Sequence, residues 1–117
     1  MISFSCPSRG RPKLAKRLVD TAQEFVKHEV EILFYLNNDD STLEEYKDLL
    51  EEKYYTIGPN QSTCLSWNEM AGKAQHDIVM LMGDDVQIQT QDWDELIVEQ
   101  FNKYDDKILM VVPNDGR

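Results

Sequence analysis

The sequence predicts an α/β domain, a layered and mostly parallel sheet with helices packed on it. Two features point there. Short segments rich in β-branched and aromatic residues alternate with longer ones whose apolar residues recur at helical spacing, and Gly, Pro, Asn and Asp collect where the two kinds meet. The most apolar segment, Ile78-Val79-Met80-Leu81-Met82, lacks the alternation of a half-exposed strand, as expected of a central strand covered on both faces.

In chain order, Ile2 to Cys6 reads as a strand closed by Pro7-Ser8-Arg9-Gly10-Arg11-Pro12, whose prolines and glycine force a loop. Pro12 suits the first position of a helix, and Leu14, Ala15, Leu18, Ala22, Phe25 and Val26 give that helix one apolar stripe. Glu31 to Leu36 is a second strand, ending at Asn37-Asn38-Asp39-Asp40. Ser41 with Glu44 has the spacing of a capping box, opening a helix that buries Leu43, Tyr46, Leu49 and Leu50. Tyr54 to Ile57 is a short strand before the Gly58-Pro59-Asn60 turn. Ser62 or Thr63 caps a third helix, with Cys64, Trp67, Ala71 and Ala74 on its apolar side and Asn68 close to it. The strand Asp77 to Met82 follows, then Gly83-Asp84-Asp85. A helix starting at Thr90 or Asp92 runs through Trp93, Leu96, Ile97 and Phe101, and Ile108 to Val112 is a last strand.

A length of 117 residues, 41% of them hydrophobic, suits one domain spanning 1–117 with a single core. A net charge of -10 disfavours general binding to nucleic acid or anionic lipid. No apolar run approaches the roughly 20 residues that cross a bilayer, and the amino end lacks a signal-peptide pattern, so a cytoplasmic protein is expected. Cys6 and Cys64 stand far apart without metal-ligand spacing, which predicts reduced, structural thiols. His28 and His76 have no partner at zinc-ligand spacing. Trp67 and Trp93 fall on helical stripes and are expected in the core. Near the amino end, Arg9, Arg11, Lys13, Lys16 and Arg17 concentrate positive charge; Lys16 and Arg17 read as a solvated helix start, while Arg9 and Arg11 suit either phosphate or surface acids.

In a parallel sheet the carboxyl ends of the strands share one rim, so Pro7-Ser8-Arg9, Asn38-Asp39-Asp40 and Gly83-Asp84-Asp85 are expected to open onto one crevice. Two adjacent carboxylates repel. Both stay ionised at low cost only if solvated or neutralised by a cation, and magnesium or manganese commonly takes one or two carboxylates with water and substrate phosphates completing its shell.

These segments, in this order, resemble the nucleotide-binding part of the GT-A fold, family-2-like glycosyltransferases, which transfer a sugar from a nucleotide diphosphate sugar to an acceptor. The resemblance implies a three-layer α/β/α domain of that type. It implies nucleotide binding by Pro7, Ser8, Arg9, Asp39, Asn68 and Asp84, with Asp39 reading the base and Asp84 contacting ribose. Gly83-Asp84-Asp85 resembles the family's Asp-x-Asp signature, in which Asp85 would ligate a manganese or magnesium ion bridging the diphosphate. Met82 stands where many relatives carry a further aspartate. Relatives also continue for about another domain's length, with the acceptor pocket and, in inverting members, the general base; the chain is expected to be an incomplete GT-A domain. No catalytic base is assigned, Asp115 included. A bare sheet edge at such an early end would favour self-association.

Two other functions fit parts of the pattern. A non-catalytic nucleotide-sugar binding module is expected if the natural chain stops at Arg117. A receiver-like signalling domain shares the alternating strands and helices but places its acidic pair after the first strand, where this sequence has Pro7-Ser8-Arg9. The Gly-Asp-Asp of template-directed polymerases lacks here a basic nucleic-acid channel. The glycine-rich opening of sugar-phosphate nucleotidyltransferases is also missing.

Overall fold

Alternation of side chains decides how the first strand is used. Strand β1 (Ile2–Ser8) turns Ile2, Phe4 and Cys6 to one face of the sheet and Ser3 and Ser5 to the other, and all five are buried. On the first face the Phe4 ring meets Trp93, their centroids 5.1 Å apart. On the second, Ser5 Oγ donates to the Trp67 carbonyl at 2.9 Å and Ser3 Oγ to Glu31 Oε1 at 2.8 Å, so the small polar side chains are satisfied where they are buried.

A computed structural model describes residues 1–106 together with 110 and 111. After β1 come α1 (Pro12–Phe25), β2 (Val30–Asn37), α2 (Leu43–Leu49), a 3-10 turn (Glu52–Tyr54), β3 (Tyr55–Gly58), α3 (Thr63–Lys73), β4 (Ile78–Leu81) and α4 (Trp93–Asn102). The protein is thus of the α/β class, with a four-stranded sheet ordered β3-β2-β1-β4. Every pairing is parallel, including Ile2 with Val30 and with Ile78. The chain lays β2 and β3 successively to one side of β1 and then returns to its other side for β4. The reversal falls between β1 and β4, where diverging connections leave a gap at the carboxyl rim.

The core joins β1 to Ile32, Phe34 and Leu36 of β2 and to Ala15, Leu18 and Ala22 of α1. Cys6 is buried within it, and burial, followed by the nearby charge of Asp84, pushes its thiol far above the ordinary range. Cys64 is exposed, and both thiols are free. Helix α4 is anchored to the end of α1: Asp92 N–H donates to the Phe25 carbonyl at 2.8 Å and Trp93 Nε1 to that of Ala22 at 3.2 Å. Buried Asp94 accepts the Lys27 and His28 N–H groups at 2.8 and 3.0 Å.

Several expectations are corrected. β4 is an edge strand of the sheet formed by the described residues; its first three residues are half-buried and Leu81 is 59% exposed. An apolar run reports burial, whereas position in a sheet is set by crossovers that periodicity does not encode. α3 buries Ser66 and Met70, leaving Cys64 exposed and Trp67 half-buried. The capping box does not form: Thr42 is the N-cap of α2, and Asp40 instead accepts both the N–H and the hydroxyl of Thr42, at 2.8 and 2.7 Å. Ser62 does cap α3, accepting the Leu65 N–H at 3.2 Å. The expected strand 108–112 lies outside the described residues apart from Met110 and Val111, neither of which is in a strand, and Asp115 lies outside them too.

Candidate functional site

The carboxyl ends of β1, β2, β3 and β4, with the start of α3, enclose a crevice of about 290 Å³. Its wall includes Pro7, Ser8, Arg9 and Arg11 after β1, Tyr35 and Asn37 from β2, Asn60 and Gln61 after β3, Ser66 and Trp67 from α3, and Met82, Gly83 and Asp84 after β4. The rim on which Ser8 and Asp84 were expected to meet is therefore a real juxtaposition.

Asp84 is fully buried. Its Oδ2 accepts Ser8 Oγ–H at 2.6 Å and Arg11 Nε–H at 3.1 Å. Arg11 Nη2 lies 2.7 Å from Oδ1, so the guanidinium meets the carboxylate with Nε and Nη2 together and compensates its charge. Ser8 Oγ is also 2.6 Å from the Tyr46 hydroxyl, which accepts the Arg11 backbone N–H at 3.0 Å. Ser8 has one proton and gives it to Asp84, so Tyr46 must donate to Ser8. A directed chain results, from Arg11 N–H through Tyr46 and Ser8 to the carboxylate. Burial raises the Tyr46 phenol, outweighing the bond it accepts from the Arg11 N–H, and so favours the protonated form that this chain needs.

The neighbouring acid is treated differently. Asp85 is exposed, and its carbonyl accepts Arg17 Nη2–H at 3.0 Å, tying the loop to α1. Its carboxylate folds back over Gly83: a Cβ at position 83 would stand 2.9 Å from Asp85 Oδ1. The repulsion between the two carboxylates is thus relieved by sending one inward to a guanidinium and the other toward water beside the crevice wall.

Of the remaining expected residues, Asp39 is not part of the wall. It pairs with Arg9 Nη1 at 2.6 Å, and Asn60 Nδ2 donates to its other oxygen at 3.4 Å. The hydrogen bond from Arg9 holds its carboxyl below the usual range. Asp40 accepts the Gly10 N–H at 2.9 Å, which fixes the β1–α1 loop, and Gly10 takes a φ of 68° there. Asn68 is exposed on α3 and outside the wall, where Ser66 and Trp67 stand instead. Trp67 Nε1 donates to the Met82 carbonyl at 3.3 Å, so this indole frames the site, while Trp93 packs in the core.

Tyr35, Asn37, Tyr46 and Gln61 were not anticipated as site residues. Among the described residues, the buried side-chain polar atoms without a hydrogen bond are Asn37 Oδ1, Gln61 Nε2 and Asp84 Oδ1, the last ion-paired with Arg11, and all three residues belong to the crevice wall. No group of three or more His, Cys, Asp or Glu side chains suited to a metal ion occurs among the described residues.

Fold and site define an α/β protein with a polar, partly basic crevice at the switch point of a parallel sheet. Comparisons with protein-family models, curated proteins and solved structures find no match for the chain. No helix among the described residues is long and apolar enough to cross a membrane.

Proposed function

We propose that the crevice binds a nucleotide diphosphate sugar and that the chain is the nucleotide-binding part of a three-layer, GT-A type glycosyltransferase working in the cytoplasm. The observation that carries this reading is the meeting of Ser8, Arg11 and Asp84 in a crevice at the β1–β4 reversal. Open parallel sheets bind ligands at such a point. Arg9 and Arg11 line the wall and match phosphate oxygens. Asp84 stands in the same wall, where the resemblance implies a contact with the ribose.

Manganese or magnesium fits this site in one way. Asp84 is occupied by Arg11, so the protein's own contribution is the exposed carboxylate of Asp85, with diphosphate and water supplying the other ligands, as such ions commonly accept. A bound ion would neutralise charge on the diphosphate leaving group. Arg9 and Arg11 orient the diphosphate and share in that neutralisation, and Ser8 and Tyr46 hold Asp84 in place. Asp39 and Asn68 would join the nucleotide only by closing toward the crevice. The acceptor and its proton acceptor are left unassigned.

A non-catalytic nucleotide-sugar binding module is the second reading, favoured by the engagement of the wall carboxylate, Asp84, with Arg11. The receiver-like reading is disfavoured by strand order: that fold sets its third strand beside the first, whereas here β2 lies between them. Calorimetry with uridine diphosphate tests the proposal. Binding that strengthens with manganese, and loses that gain in Asp85→Ala, is expected; equal weak binding with and without the metal refutes the metal-assisted reading. Hydrolysis of the nucleotide sugar, measured separately, distinguishes an enzyme from a binder.

A further inference from the structure

Asn37 is 91% buried at the end of β2, and its Oδ1 has no hydrogen-bond donor; Gln61, after β3, has a buried Nε2 with no acceptor. Both line the crevice and neither amide satisfies the other. Buried polar groups are rarely left so, and the exceptions point to something that completes them. Resting on the nucleotide reading above, we propose that Asn37 and Gln61 are the base-reading residues, recognising a nucleobase edge that presents an N–H next to an acceptor.

The chemistry of the two atoms narrows what can satisfy them. The diphosphate of a nucleotide sugar, esterified at both ends, carries no O–H at neutral pH and cannot donate to Asn37 Oδ1. An ammonium has donors only and cannot serve Gln61 Nε2. A base edge offers both kinds within one rigid plane. Beside them in the wall, Tyr35 is fixed by donating its hydroxyl to the Pro59 carbonyl at 2.7 Å. The guanidinium of Arg11 is engaged with Asp84 on the β4 side, which leaves the phosphates to that side and the base to the β2–β3 side. Asp39, exposed and paired with Arg9, is thereby relieved of the base-reading role.

The test is calorimetry of the full chain, Asn37→Leu and Gln61→Leu with uridine, guanosine, adenosine and cytidine diphosphates, ribose 5-phosphate and inorganic pyrophosphate. The native chain is expected to prefer one base, and each variant to weaken that nucleotide by about tenfold or more while pyrophosphate affinity stays within about twofold. Neither amide is bonded within the protein, so both variants are expected to fold with a urea midpoint no lower than the native one. Should Asn37→Leu fail to fold, half-buried Gln61 carries the test alone. Unchanged nucleotide affinity in the variants means that water alone serves these atoms and overturns the inference. An equal loss for ribose 5-phosphate, or for pyrophosphate, also overturns it. A native chain that binds none of the nucleoside diphosphates overturns this inference and the proposed function together, whereas native binding with indifferent variants overturns this one alone.

Discussion

Replacing Arg11 by methionine keeps the length of the side chain and removes the charge opposite Asp84. What remains is a carboxylate with no exposure, held by the Ser8 hydroxyl alone. Breaking a fully buried ion pair from one side costs about 3–5 kcal/mol. Arg11 is 53% exposed, so water already screens its end of the pair, and the expected cost is about half of that, roughly 2 kcal/mol. For a domain of this size that lowers the melting midpoint by about 8 °C. The informative measurement is a double-mutant cycle: native, Arg11→Met, Asp84→Asn and the double variant, unfolded in urea at pH 7 with tryptophan fluorescence as the signal. Asparagine at 84 removes the buried charge, so losing Arg11 should then cost at least about 1 kcal/mol less than in the native background. If the two losses add within about 0.4 kcal/mol, the guanidinium does not compensate Asp84 and the account of the acidic pair is wrong.

Tyr46→Phe removes the donor to Ser8 and the acceptor of the Arg11 N–H, and a loss of about 1–3 kcal/mol in urea unfolding is expected. Gly58→Ala drives a methyl group into the Tyr35 hydroxyl end, which Pro59 holds in place; a loss of about 1–3 kcal/mol and weakened nucleotide binding should follow together. Asp94 is opposed by its own burial, but the N–H groups of Lys27, His28 and neighbouring residues outweigh this and hold its carboxyl below the ordinary 3.8. Its stabilisation is therefore present above pH 3.8 and is lost as pH falls through the lower folded value. The stability gap between native protein and Asp94→Asn, followed by urea unfolding from pH 7 to pH 2, should be widest at the neutral end and should narrow in acid.

Local chemistry made β1, α1, β2, β3 and α3 legible, because Pro12, the Gly58-Pro59 turn and Ser62 each act within a few residues of where they stand. The carboxyl rim was legible too, since parallel strands separated by helices must end on one side. Partner choice was not. Arg11 and Asp84 are 73 residues apart, and either arginine of the β1–α1 loop was an equal candidate for a surface acid; the structure sends Arg9 outward to Asp39 and Arg11 inward. Asn37 and Gln61 escaped notice because an amide carries no charge pattern, and its meaning here comes from being buried without a partner. The place of β4 at the margin of the sheet formed by the described residues escaped because five apolar residues look alike at the centre and the margin of a sheet.

The acidic pair after β4 then has a physical division of labour. A carboxylate sealed from water must have its charge met by fixed groups, and Ser8, Tyr46 and Arg11 supply them from β1, α2 and the loop after β1. Those same bonds lock β4 against β1 across the reversal point, so the crevice keeps its shape before any ligand enters. A pair of exposed aspartates would leave β4 held at that rim by the Met82 N–H to Ser5 carbonyl bond, the Trp67 bond to the Met82 carbonyl and the Arg17 bond to the Asp85 carbonyl, with no buried tie to β1 beyond the ladder. One buried and one exposed carboxylate divide the work: Asp84 sets the geometry, and Asp85 keeps the exposed charge that the proposed function assigns to an ion. On this argument Asp84→Asn should loosen the rim, seen as faster amide exchange at Met82 and Gly83, while Asp85→Ala should leave exchange there unchanged.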